Sequence, residues 1–288
     1  MKTPILQDDA FLADVDAARR DREHLHLWWL GQSGFLVECR DRHALLDPYL
    51  SDSLTAKYAA TDKPHVRLTE RVIAPERLGF VEVVTSSHNH TDHFDPDTLK
   101  PLLGANAKLH LVLPEANRGM GAFCLGLPQK SSVFVGMNAG DVKSAGGFRF
   151  NAVPAAHNEL EHDAHGHDRY LGYIVQVGPF RIYHAGDTKL YPGLEDWVRP
   201  FKVDVALLPI NGDKPERKVA GNLDGREAAQ LAKAIGARVV IPMHYEMFEF
   251  NTASPEEFVA ACASLGQKCR VLKAGERWSS EELVVSSP

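Results

Sequence analysis

Four potential metal ligands fall within six residues in the stretch His88-Asn89-His90-Thr91-Asp92-His93. Side chains two residues apart in an extended segment point to the same side, so His88, His90 and Asp92 share one side. His93 is the next residue, and a turn there aims one pair of ligands at one cation and the other pair at a second. Neutral imidazole is the commonest transition-metal ligand, and a carboxylate adds charge and oxygen affinity. The competing reading is a polar surface loop with a chance run of histidines. The residues just before it argue against that. Phe80-Val81-Glu82-Val83-Val84-Thr85 reads as a buried strand, so the ligands sit at a strand end, where pockets of layered α/β folds are built.

Three more apolar runs end in potential ligands. Residues 148–156 lead to His157, 180–185 lead to Gly186-Asp187-Thr188, and 237–243 lead to His244. Taken singly, a buried histidine is usually a satisfied core residue, and Gly-Asp-Thr is a turn. Taken together they fit a binuclear site, in which two cations about 3.5–4 Å apart polarise a water and a substrate oxygen. Asp187 is the candidate for the carboxylate that bridges such a pair. His162, His165 and His167 compete with His157, but only His157 ends the strand. The other three are assigned to a solvated loop or pocket rim. His184 reads as a core residue or as one that supports the ligands from behind, and Asp47 as a support rather than a ligand.

The elements that must carry these residues follow from periodicity and punctuation. An amphipathic helix is predicted over 8–22, then an antiparallel meander of strands at 25–30, 35–39 and 44–48. Residues 49–71 read as one long irregular segment, and loops of that length tend to be functional. A helical turn falls at 74–78 and a helix capped by Asp97 at 97–103. Strands at 109–114 and 132–135 flank a glycine-interrupted helix over 115–125. A hairpin spans 170–177 and 180–185, and a strand follows at 203–210. Asp224-x-x-Glu227 opens a helix over 226–235, and Ser254-Pro255-Glu256-Glu257 opens one to Ser264. A last edge strand is expected between Arg270 and Trp278. No repeat, linker or composition shift divides the chain, so residues 1–288 are read as one domain with a two-layered sheet core and helices outside.

Bulk properties narrow the function. An apolar fraction of 44% supports a sizeable core, and a net charge of −6 without any basic block gives no track for nucleic acid or an anionic membrane. A small-molecule substrate is therefore expected. The four cysteines, Cys39, Cys124, Cys262 and Cys269, form no CxxC pair and read as free thiols of a reducing compartment. The first 23 residues lack the apolar core of a signal peptide, and no apolar run reaches the length of a membrane span. A cytoplasmic protein is expected, with self-association into a homo-oligomer left open.

The order of these motifs, His-x-His-x-Asp-His, then His157, Gly186-Asp187-Thr188 and Pro242-Met243-His244, resembles the metallo-β-lactamase-fold hydrolase superfamily. Four longer segments resemble its L-ascorbate-6-phosphate lactonase-like group: Trp29-Leu30-Gly31-Gln32-Ser33-Gly34-Phe35, Asp47-Pro48-Tyr49-Leu50-Ser51-Asp52, Pro209-Ile210-Asn211-Gly212 and Ile241-Pro242-Met243-His244-Tyr245. The resemblance implies an α/β fold built as a four-layer αββα sandwich. It also implies that His88, His90 and His157 hold one cation and Asp92, His93 and His244 the other, with Asp187 bridging. Aspartate rather than cysteine at the bridging position argues against a β-lactamase of the cysteine-ligand type. Two carboxylates and five histidines suit zinc or manganese.

The expected activity is metal-dependent hydrolysis that opens a small lactone, phosphorylated in the group resembled. Asp92 is the expected proton donor to the leaving oxygen, with a water as its rival. Lys214 and Arg217, after a strand that should point at the site, are candidate phosphate contacts, weighed evenly against a solvated charged loop. Tyr191 and Tyr245 are lesser substrate contacts. A phosphodiesterase acting on small or cyclic phosphodiesters is the close alternative. A di-iron oxidoreductase, whose known examples carry a flavin-binding domain, and a non-catalytic scaffold are the more distant ones.

Overall fold

The computed structural model describes residues 1–283. Its first half runs α1 (Asp8–Ala18), β1 (His26–Gly31), β2 (Gly34–Cys39), β3 (Arg42–Leu46), α2 (Ser53–Tyr58), β4 (Val83–Thr85), α3 (Pro96–Ala105), β5 (His110–Pro114), α4 (Arg118–Leu125) and β6 (Phe134–Met137). The second half runs β7 (Val142–Ala145), β8 (Phe148–Pro154), β9 (Leu171–Val177), β10 (Phe180–His184), α5 (Leu194–Val198), β11 (Val205–Pro209), α6 (Gly225–Ile235), β12 (Val239–Met243) and α7 (Glu256–Leu265). Strand β13 (Arg277–Ser279) then returns to pair antiparallel with β1.

Two sheets result, one of seven strands ordered β13-β1-β2-β3-β4-β5-β6 and one of six ordered β12-β11-β10-β9-β8-β7. Each half has the same plan. An antiparallel meander (β1 to β3, and β7 to β10) is followed by parallel strands reached by crossovers. Parallel strands need both faces covered, and strand alternation shows how that is done. Leu27, Trp29, Phe35, Val37 and Leu46 face inward onto the second sheet, in the core shared with Leu231 of α6 and Phe258 of α7. Their neighbours Trp28, Leu30, Leu36 and Leu45 face outward and pack on Phe11 and Val15 of α1 and on Leu99 and Leu102 of α3. The layers are therefore helix, sheet, sheet, helix. Among the described residues no helix is long and apolar enough to cross a membrane.

Several elements differ from expectation. The irregular segment 49–71 contains the six-residue helix α2. Helix α3 begins at Pro96 and is capped by Asp95, which accepts from the Asp97 amide, so Asp97 lies inside the helix. Asp224 and Glu227 form the expected reciprocal capping box of α6. Helix α7 starts after Pro255, one residue later than expected, and the Ser254 hydroxyl accepts from the Glu256 amide at 3.3 Å.

One buried group in the first sheet has a consequence for stability. Glu38 lies opposite His26 across the β1–β2 ladder and is fully buried. Its Oε1 accepts from the Asp41 amide at 2.8 Å, whereas Oε2 has no hydrogen-bond partner. Burial pushes its carboxyl up to about 7 from 4.5. A carboxyl raised in the folded state contributes stability that is fully present below about pH 4.5 and lost as pH rises through about 7, a span worth roughly 3 kcal/mol. Glu38→Gln is expected to raise the melting temperature at pH 9 and to leave it unchanged at pH 4.5. Thermal melts at the two pH values check this, and an equal shift at both would refute it.

Candidate metal centre

All four ligand-bearing segments leave strand ends on the same side of the sandwich. The loop after β4 carries His88 to His93, and His157, Asp187 and His244 follow β8, β10 and β12. Their side chains converge into three groups whose ligand atoms lie within 4.8 Å of one another: His88 with His90 and His157, His88 with His93 and Asp187, and Asp92 with His93 and His244. Two local features bring them together. Gly186 has φ of +61°, and a Cβ there would stand 2.6 Å from the Ser87 Cβ, so only glycine lets the Asp187 loop close on the His88 loop. His244 itself adopts a left-handed backbone, φ +67°, a strained conformation for a non-glycine residue and one that clusters at functional sites.

The distances describe a site centred on Asp187. Its Oδ1 lies 3.2 Å from His93 Nε2, and its Oδ2 lies 3.5 Å from His244 Nε2 and 3.6 Å from His157 Nε2. Asp92 Oδ2 is 3.4 Å from His244 Nε2 and 3.7 Å from His93 Nε2. His88 Nε2, His93 Nε2 and Asp187 Oδ1 are buried without hydrogen-bond partners. Buried polar atoms are nearly always satisfied, so three such atoms facing one another fit an arrangement completed by cations. The donor set of imidazoles and carboxylates fits a divalent metal.

The electrostatics of the protein alone agree. Burial by itself would raise Asp187, but the His93 and His244 imidazoles beside it hold its carboxyl well below the usual range. Asp92 is likewise favoured as a carboxylate despite burial, by His93 and by His244. Burial would lower His93 and His244, but the carboxylates overcome it. His93 is pushed well above the ordinary imidazole value and His244 up to about 9. His88 is held far below its ordinary value by burial and by neighbouring imidazoles. A pocket that gathers this much negative charge around imidazoles attracts cations. A carboxylate held ionised is free to take up a proton, as the proton-transfer role expected of Asp92 requires of it before it can give one.

A supporting layer fixes the ligands in orientation. His93 Nδ1 donates to Asp47 Oδ2 at 2.8 Å, which turns Nε2 toward Asp187. Asp47 is fully buried and also accepts from the Thr85 hydroxyl at 2.7 Å and the Ser87 amide at 3.1 Å. His157 Nδ1 donates to the Gly221 carbonyl at 2.9 Å, leaving Nε2 for the site. Gln32 was not singled out from the sequence as a site residue, yet its Nε2 lies 2.8 Å from Asp92 Oδ2 and 3.0 Å from His244 Nε2. Its one signal was its place in the Gly31-Gln32-Ser33-Gly34 turn. His184 Nε2 donates to the Ser33 carbonyl at 2.8 Å, in keeping with a supporting position. Asp47→Asn is expected to weaken metal binding by about 10–100-fold, as loss of a carboxylate behind a metal-ligating histidine does elsewhere. Metal titration against a competing chelator measures this, and unchanged affinity would remove Asp47 from the site.

A cavity of about 390 Å³ opens onto His90, Asp92, His157, Asp187 and His244. The four expected substrate contacts do not line it. Tyr245 is buried, stacks on Trp29 with ring centroids 4.3 Å apart and donates its hydroxyl to the Leu272 carbonyl. Tyr191 donates its hydroxyl to the Pro154 carbonyl at 2.5 Å. Arg217 is spent on structure, with Nη1 2.7 Å from the Asn211 carbonyl and Nη2 2.7 Å from that of Thr252. Lys214 is exposed outside the cavity, whereas its neighbour Lys218 lines it. His162, His165 and His167 also lie outside it; His162 sits 3.2 Å from Asp168, and His167 sits 3.2 Å from Asp163. Of the lining residues that sequence reasoning missed, Lys57, Lys63 and His65 come from the segment 49–71, and Lys218, Phe248 and Phe250 from later loops.

Comparison with known proteins assigns the fold and family. Residues 26–244 match the profile described as the Beta-lactamase superfamily domain. The UPF0173 metal-dependent hydrolase of Caldivirga maquilingensis is 31% identical over 256 residues, covering 87% of this chain and 96% of its own. A similar protein from Methanosarcina barkeri is 28% identical over 253 residues, covering 86% of this chain and 95% of its own. Among solved structures, Igni18, a metallo hydrolase from Ignicoccus hospitalis, superposes with a TM-score of 0.64 at 25% identity, over 89% of this chain and 98% of its own. The converging ligand groups and these relatives together establish that the chain belongs to the metallo-β-lactamase superfamily, among its metal-dependent hydrolases.

Proposed function

We propose that this protein is a hydrolase with a binuclear centre that opens a small lactone carrying an anionic group. The observation that carries the reading is the overlap of the ligand groups, in which His88 and His93 are each shared and Asp187 stands between them. In this reading His88, His90 and His157 hold one cation, Asp92, His93 and His244 hold the other, and Asp187 spans both. Zinc and manganese both suit these donors. When bound, a pair of divalent cations supplies Lewis acidity and a water nucleophile available at neutral pH.

The chain's own groups do the remaining work. Asp47 and the Gly221 carbonyl fix the tautomers of His93 and His157, and Gln32 donates to Asp92. Preorganisation of this kind lets charge develop in the transition state without the site having to rearrange. In lactone opening, water adds its hydroxyl to the carbonyl carbon, the ring C–O bond breaks, and a proton passes to the ring oxygen. Asp92, held as a carboxylate, takes the proton that the attacking water loses and passes it to the ring oxygen, with a second water as its rival in that role. A second reading, phosphodiester hydrolysis of small or cyclic substrates, uses the same ligands and is favoured by the lysines that line the cavity. The four free thiols suit a cytoplasmic setting.

The test is elemental analysis of the purified protein, with a hydrolysis screen of lactones and small phosphodiesters. Close to two zinc or manganese ions per chain, with chelator-sensitive turnover of lactones, is the expected result. Turnover confined to phosphodiesters would replace the first reading by the second. Failure to bind metal under reconstituting conditions would overturn both.

A further inference from the structure

The cavity over the ligands has a composition unlike that of the chain. Acidic residues outnumber Lys and Arg overall, 38 to 32. Around the cavity the balance reverses, since among the described residues the only carboxylates lining it are Asp92 and Asp187, both in the ligand groups, while Lys57, Lys63 and Lys218 line its walls. These lysines come from α2, from the loop after it and from the loop after β11. Among the described residues none of the three has a carboxylate partner. Lys57 Nζ donates to the Thr91 hydroxyl at 3.3 Å, and Lys63 Nζ donates to the Lys218 carbonyl at 2.7 Å. That second bond ties the two loops together across the cavity, and each ammonium retains further donors. The two carboxylates of the cavity belong to the ligand groups, so the three ammonium groups are left to attract an anion placed among them.

The wall between Lys57 and Lys63 is aromatic. His65 stacks on Tyr58 with centroids 4.5 Å apart and meets Phe250 at 5.1 Å and Phe248 at 5.2 Å. Apolar walls bearing a few placed charges are the usual form of a small-ligand pocket.

We propose that Lys57, Lys63 and Lys218 form an anion-selecting rim, so that the substrate has an aromatic or apolar body and an anionic group, carboxylate or phosphate, remote from the bond that is cleaved. The proposal rests on the hydrolase reading above for the reaction, but not for the binding. It moves the expected anion contact from Lys214 and Arg217, which lie outside the cavity, to three residues that line it.

The metal-loaded protein is assayed with three matched aryl lactones: one neutral, one with a carboxylate on the ring and one with a phosphate there. Dissociation constants of the corresponding hydroxy-acid products are measured in parallel by calorimetry. The expected result is a KM about 10-fold or more lower for the charged lactones than for the neutral one, a preference that shrinks as salt rises. The combined variant Lys57→Gln/Lys63→Gln/Lys218→Gln is expected to lose that preference in both KM and product affinity. The surface variant Lys100→Gln/Lys108→Gln/Lys130→Gln, with the same change in net charge, is expected to keep it. A preference for only the carboxylate or only the phosphate identifies the anion. Equal KM values for all three lactones, or a preference retained in the rim variant, would overturn the proposal. Charge-selective product binding with no turnover of any lactone would uphold the rim and overturn the lactonase reading instead.

Discussion

Asp187→Ala is expected to abolish stoichiometric metal binding and to lower hydrolysis by at least about 10³-fold, beyond the roughly 10–100-fold typical of substitutions behind a ligand. The size follows from the geometry. Its two oxygens face different partners, Oδ1 toward His93 and Oδ2 toward His157 and His244, so one truncation removes contacts from both halves of the ligand set. It also removes one of the two carboxylates that concentrate negative charge in the cavity. Elemental analysis and a thermal melt of the variant separate loss of metal from loss of fold. A variant that keeps two ions per chain with full turnover would exclude Asp187 from the centre.

Removing the metal from the native protein is expected to lower its melting temperature by about 10 °C. A ligand present at about 1,000 times its dissociation constant stabilises the folded state by roughly 4 kcal/mol, and each kcal/mol moves the melting point of a large domain by about 2–4 °C. The loss should depend on pH with a definite sign. In the metal-free chain His244 is held up to about 9, so it contributes stability that is fully present below about 6.5 and lost as pH rises through about 9. A cation requires the neutral imidazole and must displace that proton, so metal affinity falls as pH falls. Both effects make the drop on chelation larger at pH 9 than at pH 6. Melts with and without chelator at the two pH values check this. A drop of the same size at both would show that His244 does not lie in the metal-binding set.

Much of this was legible in local sequence, and the exceptions share a cause. The meander β1 to β3, the β9–β10 hairpin and the capping box of α6 are written in turns and periodicity within short windows. The metal-ligand groups were legible because their residue types are rare at strand ends. Strand β7 escaped notice because only Ala145 of its four residues is buried, which leaves no apolar alternation to read. Helices α2 and α5 have six and five residues and no side-chain N-cap bond, too short for a 3.6-residue period to show. The substrate contacts were misjudged because nearness in sequence says little about direction. Tyr245 follows His244, but the left-handed turn at His244 sends the two side chains apart, one into the site and the other onto Trp29. Part of the cavity wall comes from the segment 49–71, far in sequence from every ligand, and no local pattern links Lys57 or Lys63 to His88.

The ligands are divided between the two sheets, and this division shapes the order of events in folding. His88 to His93 hang from the first sheet, while His157, Asp187 and His244 hang from the second. Neither half alone can present both groups of ligands, so the complete set exists only after the sheets have docked. Long-range contacts of this kind form late, since closing so large a loop costs chain entropy before any contact rewards it. A cation that binds the finished set acts as a clasp on the native state and not as a nucleus for reaching it. Its effect falls on the escape rate from the folded state, prolonging the lifetime of the sandwich while leaving the speed of its assembly largely alone.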